Sequence, residues 1–363
     1  MKEITVPVKL HLMPPIEFQN KPSLFTLDEI FSLSDQQKNQ FIKFASQSER
    51  EDLSKHRVIA DYLNQFTEQF NYFGKTNIAS VAFNEKQGNC LSLAILTSAL
   101  AKLNSVEVKF QKVYSAPVYQ KTNETVIRGD HVRSQLMDPN YTKEPGKITI
   151  FEPAITIDYF PDLGGQLAGA VNHKEFHAMI YSNLAAESYI KSNYNFAYWY
   201  AREALIYDEY YAPALNTLAL TLIKANAAEE AEKVFLWGSH YGKQPVELLS
   251  NYYDRLINQN LLLEAKKINQ QLEDIKLPNP FDYIDSAYKY LRQKNYAQAE
   301  KMFERAIDIA PYLHQPYSGL ALVKFELGYP NKAKRLLEQA LEVSNEKASR
   351  DRYRTKLKAL EIN

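Results

Sequence analysis

The second half of the chain repeats a pattern of small and large apolar residues with a period of 34. From about residue 178, small residues recur in three columns. The first column is Ala197, Ala231, Ala265, Ala299 and Ala333, the second is Ala185, Ala219, Tyr253, Ala287 and Ala321, and the third is Ala204, Gly238, Leu272, Ala306 and Ala340. Small residues let two helices approach closely, and large apolar residues fill the space between units. The pattern therefore predicts a stack of helix pairs.

Proline positions indicate where these units begin and end. Proline belongs at helix starts and junctions, because it lacks an N–H group and clashes with the preceding turn. The prolines near the predicted junctions are Pro213, Pro245, Pro278, Pro280, Pro311 and Pro316, and Pro330 follows Gly328 in a turn. We expect five units at 178–211, 212–245, 246–279, 280–313 and 314–347. A capping helix with a solvated outer face should follow at 348–363.

This period and these small-residue offsets resemble the tetratricopeptide repeat (TPR), which has two antiparallel helices per unit. The resemblance implies an all-α solenoid of about five helix pairs, with a concave groove that takes a protein or peptide partner. Asn216 and Asn251 occupy first-helix positions in successive units. We expect these two side chains to face the groove and contact the partner.

The region before residue 172 begins with helical patterns. Ser34 with Gln37 is typical of a capping box, and amphipathic stretches follow it to about residue 70. Asn89 is a good N-cap for the apolar stretch 91–103, which predicts a buried helix.

The same region then alternates apolar and polar residues, which is typical of strands. Strands are predicted at 106–113, 131–137, 147–151 and 155–159. We therefore expect residues 1–172 to form an α+β domain with an N-terminal helical extension, in which a central helix packs on an antiparallel sheet.

Composition and charge exclude several classes of protein. The chain has 363 residues with 43 Lys+Arg and 43 Asp+Glu, so it has no polycationic surface for nucleic acid. The apolar stretch 91–103 is too short and too polar to span a bilayer. A single cysteine cannot form an internal disulfide, so cysteine usage does not indicate the compartment. Because the N-terminus has no apolar signal core, the chain is expected to be cytoplasmic. The alternative is a periplasmic or lipid-anchored protein whose export signal has been trimmed.

Cys90 is the only cysteine and stands in the first turn of the predicted buried helix. The N–H groups and partial positive charge of a helix N-terminus favour a thiolate. A nucleophilic thiolate also needs an imidazole to hold its proton, and a carboxylate or amide to orient that imidazole. His131 opens one predicted strand and Asp158 closes another, so neighbouring antiparallel strands are able to bring them to Cys90.

Three blocks, GNCLSLAILTSALAKLNSVEVKF, HVRSQL and ITIDYFP, resemble the motif blocks of the transglutaminase-like branch of the papain-type cysteine enzymes. The resemblance implies Cys90 as nucleophile, His131 as general base and acid, and Asp158 as the residue that orients the imidazole. It also implies an oxyanion held by the Cys90 backbone N–H, with Gln87 or Asn89 as an auxiliary donor.

The transglutaminase-like resemblance covers about residues 55–165. Glu152 is the alternative orienting residue if the strands pair in another register. The two halves together resemble bacterial proteins that couple a transglutaminase-like domain to tetratricopeptide repeats.

A metal site is the other chemistry that the sequence raises. His173 and His177 are four residues apart with Glu175 between them, so one helix face is able to present two imidazoles to zinc. A third ligand is not evident, and a solvated helix start is the favoured interpretation. No acidic loop of the EF-hand type occurs either. We therefore predict no metal and no cofactor.

Two functions remain. The first is a cysteine-dependent acyl-transfer enzyme that hydrolyses an amide bond or passes the acyl group to an amine, with the repeats recruiting a protein substrate. The alternative is a catalytically inactive scaffold that works through its repeats in protein–protein interaction. The presence of all three triad residue types favours the enzyme. The sequence carries no signal for an oligomeric state.

Overall fold

The structure is a computed structural model of the chain. It describes residues 10, 12–47, 50, 52–72, 75–122, 125–142, 152–157, 166–243, 245–275, 280–344 and 347–361. Side chains are described for these residues except 72, 113–122, 125–131, 166–168, 347–348 and 361. The chain divides into two compact units: unit 1 is Met1–Ser115 with Gln120–Ile275, and unit 2 is Ala116–Tyr119 with Lys276–Asn363.

The N-terminal helices of unit 1 are α1 Leu27–Ile30, α2 Asp35–Ala45, α3 Lys55–Thr67, α4 Ala79–Glu85 and α5 Cys90–Leu103. Three of them, α1, α2 and α5, begin at capping boxes. The predicted capping box of Ser34 and Gln37 is confirmed, as is the N-cap role of Asn89. A capping box satisfies two backbone N–H groups that a helix start otherwise leaves unpaired. Helix α5 is apolar on all sides and almost wholly buried, as its sequence predicts.

The strands form a two-stranded sheet and a four-stranded sheet. They are β1 Asn71–Tyr72, β2 Gln87–Gly88, β3 Val108–Thr122, β4 Thr125–Met137, β5 Ala154–Ile157 and β6 Gln166–Val171. Strands β1 and β2 pair in parallel. The larger sheet has the order β5-β4-β3-β6, with antiparallel pairing of β4 to β5 and of β3 to β6.

The strand predictions are correct in part. Strand β3 begins at 108, slightly later than the predicted strand 106–113, and continues beyond it to 122. The predicted strand 147–151 lies outside the described residues, as do the last two residues of 155–159. Strand β6 is missing from the prediction, because its sequence QLAGAV lacks large residues at alternate positions.

Helix α5 packs against strand β4, so a helix does lie on the sheet. Val132, Ser134 and Leu136 of β4 are fully buried at alternate positions, which is the spacing of one strand face. Ser134 pairs with Ile157 of β5, which is also buried.

The remaining helices of each unit are arranged in pairs. Unit 1 contains α6 His173–Ile190, α7 Tyr194–Tyr207, α8 Ala212–Lys224, α9 Ala228–Tyr241, α10 Val246–Asn258 and α11 Leu262–Ile275. Unit 2 contains α12 Pro280–Arg292, α13 Tyr296–Ile309, α14 His314–Glu326, α15 Pro330–Val343 and α16 Lys347–Glu361. Helices α8, α10, α12 and α14 thus begin 34 residues apart. Helix α6 begins at His173, before the predicted 178, because Asn172 and Glu175 form a capping box there.

The turn inside each helix pair uses a left-handed residue at the same repeat position. These residues are Ser192, Asn226, Asn260, Lys294 and Gly328, with φ angles of 61°, 56°, 59°, 57° and 79°. Glycine adopts this conformation without a steric cost and asparagine tolerates it, whereas Ser192 and Lys294 adopt it at a cost.

The small-residue columns are buried where helices cross. All alanines of the first column are at most 1% exposed. A Cβ atom added to Gly238 of the third column would lie 2.2 Å from Leu248 Cδ1. Gly319, which lies outside the three columns, is at a similarly close crossing, where an added Cβ atom would lie 2.3 Å from Phe303 Cζ. These helices therefore approach too closely for a larger residue, which is the packing reason for the columns.

One hydrophobic core runs through unit 1, from α1 to α11. Phe110 of β3 stacks on Phe176 of α6 with ring centroids 3.7 Å apart. Strand β4 also contacts α6, α8 and α10, the first helices of three successive pairs. The boundary expected at 172 lies inside this unit, and independent folding of residues 1–172 stays a prediction.

Candidate functional site

Cys90 is the first residue of α5 and is 6% exposed. The helix start is closed by Asn89, whose Oδ1 accepts a hydrogen bond from the Ser92 N–H at 3.0 Å. Ser92 Oγ in turn accepts from the Asn89 N–H at 3.2 Å and from the Asn77 N–H at 2.8 Å. The loop before α5 is thus tied to the first turn of the helix, and this fixes the backbone around Cys90.

Thr76 connects this helix start to α6. Its Oγ1 accepts hydrogen bonds from Asn89 Nδ2 at 2.8 Å and from Asn183 Nδ2 at 3.4 Å. Its backbone N–H donates to Glu187 Oε1. Burial raises the pKa of the Glu187 carboxyl, although its hydrogen bonds to Thr76 act in the opposite direction. A side chain of the first repeat helix is therefore part of the polar surroundings of the α5 start.

The two auxiliary residues already have hydrogen-bond partners. The side-chain amide of Asn89 donates to Thr76, and that of Gln87 donates to Glu85 Oε2. The Gln87 carbonyl also accepts from Asn77 Nδ2 at 2.9 Å. An oxyanion role for either amide stays a prediction.

The structure describes the predicted triad only around the cysteine. His131 lies in strand β4, which packs against α5, but its side chain is outside the described residues, and Asp158 is wholly outside them. The alternative orienting residue, Glu152, is exposed and pairs with Lys109, and the Glu152 hydrogen bond raises the pKa of that lysine.

The histidines at the start of α6 sit in an aromatic environment. His177 is half-buried, with its ring 5.9 Å from that of Phe31 and 5.2 Å from that of Tyr207. Burial lowers the pKa of His177 to about 4, with a smaller contribution from His173. Glu175 Oε2 accepts from the Asn172 N–H as part of the helix cap. Within the described ranges, no group of three or more His, Cys, Asp or Glu side chains is placed to hold a metal ion.

Asn216 and Asn251 connect α8 and α10, the first helices of two successive pairs. Asn216 of α8 is 2% exposed and Asn251 of α10 is 9% exposed, and Asn251 Nδ2 donates to Asn216 Oδ1 at 2.8 Å. A cavity of about 10 Å³ beside Asn216 is lined also by Ser182 and Glu247, and it is too small for a ligand group. A partner contact by these asparagines stays a prediction.

Unit 2 contains an open apolar cleft between α14 and α16, with α15 as its floor. Leu322 and Phe325 of α14 are 42% and 46% exposed. The cleft has a volume of about 230 Å³, and its other lining residues are Ser318, Ala321, Ala333, Leu337, Lys356, Ala359 and Leu360. The 34-residue pattern does not predict this cleft. The signal available was the pair of large apolar residues Leu322 and Phe325 next to Ala321 of the small-residue column, on the same side of α14.

Lys356 stands at the edge of this cleft. Burial lowers the pKa of its ammonium group, and the nearby charge of Arg352 lowers it further. Its Nζ atom donates to Ser318 Oγ at 3.3 Å. The cleft thus combines an apolar floor with a partly desolvated positive charge. Among the described helices, none is long and apolar enough to cross a membrane.

Comparison with known proteins identifies a repeat in unit 2. A family model for the tetratricopeptide repeat matches residues 283–312, which include most of α12 and all of α13. None of the curated proteins matches the sequence.

The solved structures that are similar include several repeat proteins. Yeast Tom70 is 18% identical with a TM-score of 0.39, and the match covers 51% of this chain and 40% of Tom70. PilF of Pseudomonas aeruginosa is 17% identical with a TM-score of 0.33, over 52% of this chain and 94% of that one. A thermophilic TPR protein of Thermus thermophilus is 17% identical with a TM-score of 0.30, over 51% of this chain and 100% of that one. With the family match and the order of its helices, the chain is a mostly helical protein with a small sheet, and it carries a tetratricopeptide repeat.

Proposed function

We propose that this chain is a protein-binding module whose helical repeats hold a protein or peptide partner. The observation that carries the proposal is the open apolar cleft of unit 2, in which Leu322 and Phe325 remain about half exposed. Contiguous apolar surface on a folded protein marks sites that other molecules cover. The module extends over five helix pairs, with α16 as the cap that closes the last pair.

Unit 2 is a better location for the partner than helices α6, α8 and α10 of unit 1. In unit 1, strand β4 already contacts α6, α8 and α10. Asn216 and Asn251 of these helices are buried and bonded to each other. In unit 2, the first helix of the last pair, α14, instead presents apolar side chains to an open cleft.

The chemistry of the cleft indicates the kind of partner. Apolar side chains in an amphipathic segment would fill the space above Ala333 and Leu337. A carboxylate on the same segment would lie near Lys356, where it would compensate for the burial that lowers the pKa of that lysine. We therefore expect a segment that combines two or more apolar residues with an acidic residue.

A peptide-display selection on the full chain tests this proposal. Selected peptides should share apolar and acidic positions, and the Leu322→Ser/Phe325→Ser variant should bind them at least ~10-fold more weakly, because it removes two apolar contacts. Leu263→Ser is the matched control, since Leu263 of α11 is an apolar residue that is 75% exposed outside the cleft. Equal binding by the double variant and the wild type would contradict the proposal.

A second candidate function is cysteine-dependent acyl transfer at Cys90, either amide hydrolysis or transamidation. The observation that favours it is the position of Cys90 at the first residue of α5, where backbone N–H groups and the helix dipole favour a thiolate. In this proposal His131 moves the proton and Asp158 orients the imidazole, while the Cys90 backbone N–H holds the oxyanion, aided by Gln87 or Asn89.

The alkylation rate of Cys90 between pH 4 and 10 tests this second function. A working pair predicts a thiolate pKa well below ~8.5 in the wild type and a higher value in His131→Ala. Thr97→Ala, at a fully buried position two turns further along α5, is the control for general loosening of the helix. An unreactive thiol, or the same titration in wild type and His131→Ala, would rule out the enzyme.

A further inference from the structure

Residues 12–25, here called the strap, lie against helix α7, although the two segments are far apart in the sequence. The structure describes all residues of the strap, and outside the short 3-10 turn Ile16–Phe18 they have no regular secondary structure. Side chains of α6 and α7 hold its main chain through a series of hydrogen bonds. These are Arg202 Nη1 to Leu12 O (2.9 Å), Trp199 Nε1 to Phe18 O (3.0 Å), Asn195 Nδ2 to Asn20 O (3.0 Å), Tyr181 Oη to Phe25 O (3.0 Å) and Phe25 N to Tyr200 Oη (3.4 Å).

The donors on α7 form one row on the helix surface. Asn195, Trp199 and Arg202 are spaced four and three residues apart, so they lie on the same face of the helix. Each donates to a carbonyl oxygen of the strap, a group that every residue type possesses. The row therefore recognises the main chain of the strap, at the 3-10 turn and on either side of it, and does not depend on most of the strap's side chains.

One strap side chain is recognised in addition. Phe18 is 3% exposed and stacks on Tyr198 of α7 with ring centroids 4.7 Å apart. It is the only buried residue in the fully described segment 12–25, whereas Met13 and Ile16 are 83% and 78% exposed. Phe18 thus anchors the strap in the hydrophobic core of unit 1, as a single aromatic side chain anchors a peptide ligand in its pocket.

The strap also leaves part of the site unfilled. A cavity of about 250 Å³ lies between strap residue Leu12 and the side chains of Trp199, Leu205, Ile206 and Leu218. The cavity is open to solvent, since Ile206 is 72% exposed. Lys21 lies 5.2 Å from the centre of the Trp199 ring and 3.6 Å from Glu203, at the edge of the same cavity.

We propose that the face of α7 that carries Asn195, Trp199 and Arg202 is a peptide-binding site for a segment with a short 3-10 turn and one aromatic side chain, and that its resident ligand is the strap of this same chain. The site lies on helices α6 and α7 and is separate from the cleft of unit 2. Because Phe18 is the only fully buried side chain of the strap, and Leu12 and Leu24 pack against the core only in part, the strap opens locally while the rest of unit 1 stays folded. An added copy of the segment then takes its place.

Binding of a labelled synthetic peptide of residues 10–27 to the full chain tests the proposal. Phe18→Ala in the chain removes the anchor of the resident strap, so the wild-type peptide should bind this variant at least ~10-fold more tightly than it binds the wild-type chain. The Phe18→Ala peptide should bind that same variant ~30-fold more weakly than the wild-type peptide, as expected for loss of one buried aromatic side chain. The Ile16→Ala peptide is the matched control and should bind equally well.

Two results would overturn the proposal. One is the absence of peptide binding to a Phe18→Ala chain whose circular dichroism is that of the wild type. The other is equal loss of binding by the Ile16→Ala and Phe18→Ala peptides. If Phe18→Ala does not fold, hydrogen exchange on the wild-type chain decides: the strap amides should exchange faster than those of α7, and exchange of both together only on global unfolding would contradict local opening.

Discussion

Asn251 on α10 donates its side-chain amide to Oδ1 of Asn216 on α8 at 2.8 Å, inside the contact between two first helices. A buried carbonyl oxygen that loses its donor carries the full cost of its desolvation, about 1–3 kcal/mol. We expect Asn251→Leu to lower the free energy of unfolding by about that amount, and the double variant Asn216→Leu/Asn251→Leu to cost less than the sum of both singles. Urea unfolding followed by circular dichroism measures both. Asn258→Leu, at an exposed site of α10, is the control, and additive losses would disprove the coupling.

The left-handed turn residues predict a gain in stability. Lys294 has a φ angle of 57°, in a position that Gly328 occupies one repeat later. Glycine removes the steric cost of this conformation but loses more entropy on folding, so Lys294→Gly should stabilise unit 2 by about 0.5–1 kcal/mol. Gly328→Ala should destabilise it by a similar amount. Thermal unfolding measures both changes, and a loss of stability in Lys294→Gly would contradict the argument.

Gly319 and Phe303 predict a size limit at a helix crossing. A Cβ atom at Gly319 would lie 2.3 Å from Phe303 Cζ, so Gly319→Ala forces the ring or the helix to move. Overpacking of this kind costs about 1–3 kcal/mol. In the Phe303→Leu background the same substitution should cost clearly less, because the ring is gone. Denaturant midpoints of the four proteins provide the test, and an equal cost in both backgrounds would refute the contact as the cause.

Glu187 predicts a pH dependence of stability. Its pKa is raised above the ordinary 4.5 by burial, so the folded state holds this proton to a higher pH than the unfolded state does. Stability therefore falls as the pH rises above 4.5 through the raised value. Glu187→Gln keeps an oxygen for the Thr76 N–H and should remove this part of the slope. Urea midpoints between pH 4 and 8 measure it, and an unchanged slope in the variant would contradict the assignment.

His177 predicts a dependence of the opposite sign. Its pKa is lowered to about 4 in the folded state from 6.5, so the unfolded state binds the proton first as the pH falls. The associated stability is complete above pH 6.5 and is lost as the pH falls towards 4. Proton NMR of the imidazole should give a titration midpoint near 4. The His177→Phe variant should lose less stability as the pH falls from 6.5 towards 4. A midpoint near 6.5 in the folded protein would show that the ring is solvated.

The sequence predicts local and periodic features of this protein well. Ser34 and Asn89 indicate helix starts because the partner of each cap, Gln37 or Ser92, follows three residues later. Helices α8, α10, α12 and α14 begin 34 residues apart, and this spacing follows from the small residues that must lie at each crossing.

Features that depend on distant residues could not be predicted in the same way. The spacing of Asn216 and Asn251 places them on successive first helices, but spacing alone cannot distinguish a groove contact from a buried pair. The contacts of Trp199 and Arg202 with the strap join residues 181 and 190 positions apart, and no periodic pattern records them. For the triad, the sequence supplies three residue types, while the described structure includes the side chain of Cys90 alone.

The stack of Phe110 on Phe176 sets a practical limit on how the gene can be divided. A fragment that starts at α6 would expose to water the face of Phe176 that β3 covers, and a fragment that stops at 172 would expose Phe110 in the same way. Both fragments would expose a new apolar surface and would tend to aggregate. A cut near 275, where the chain passes from unit 1 into the main segment of unit 2, avoids this contact and keeps helices α12 to α16 together.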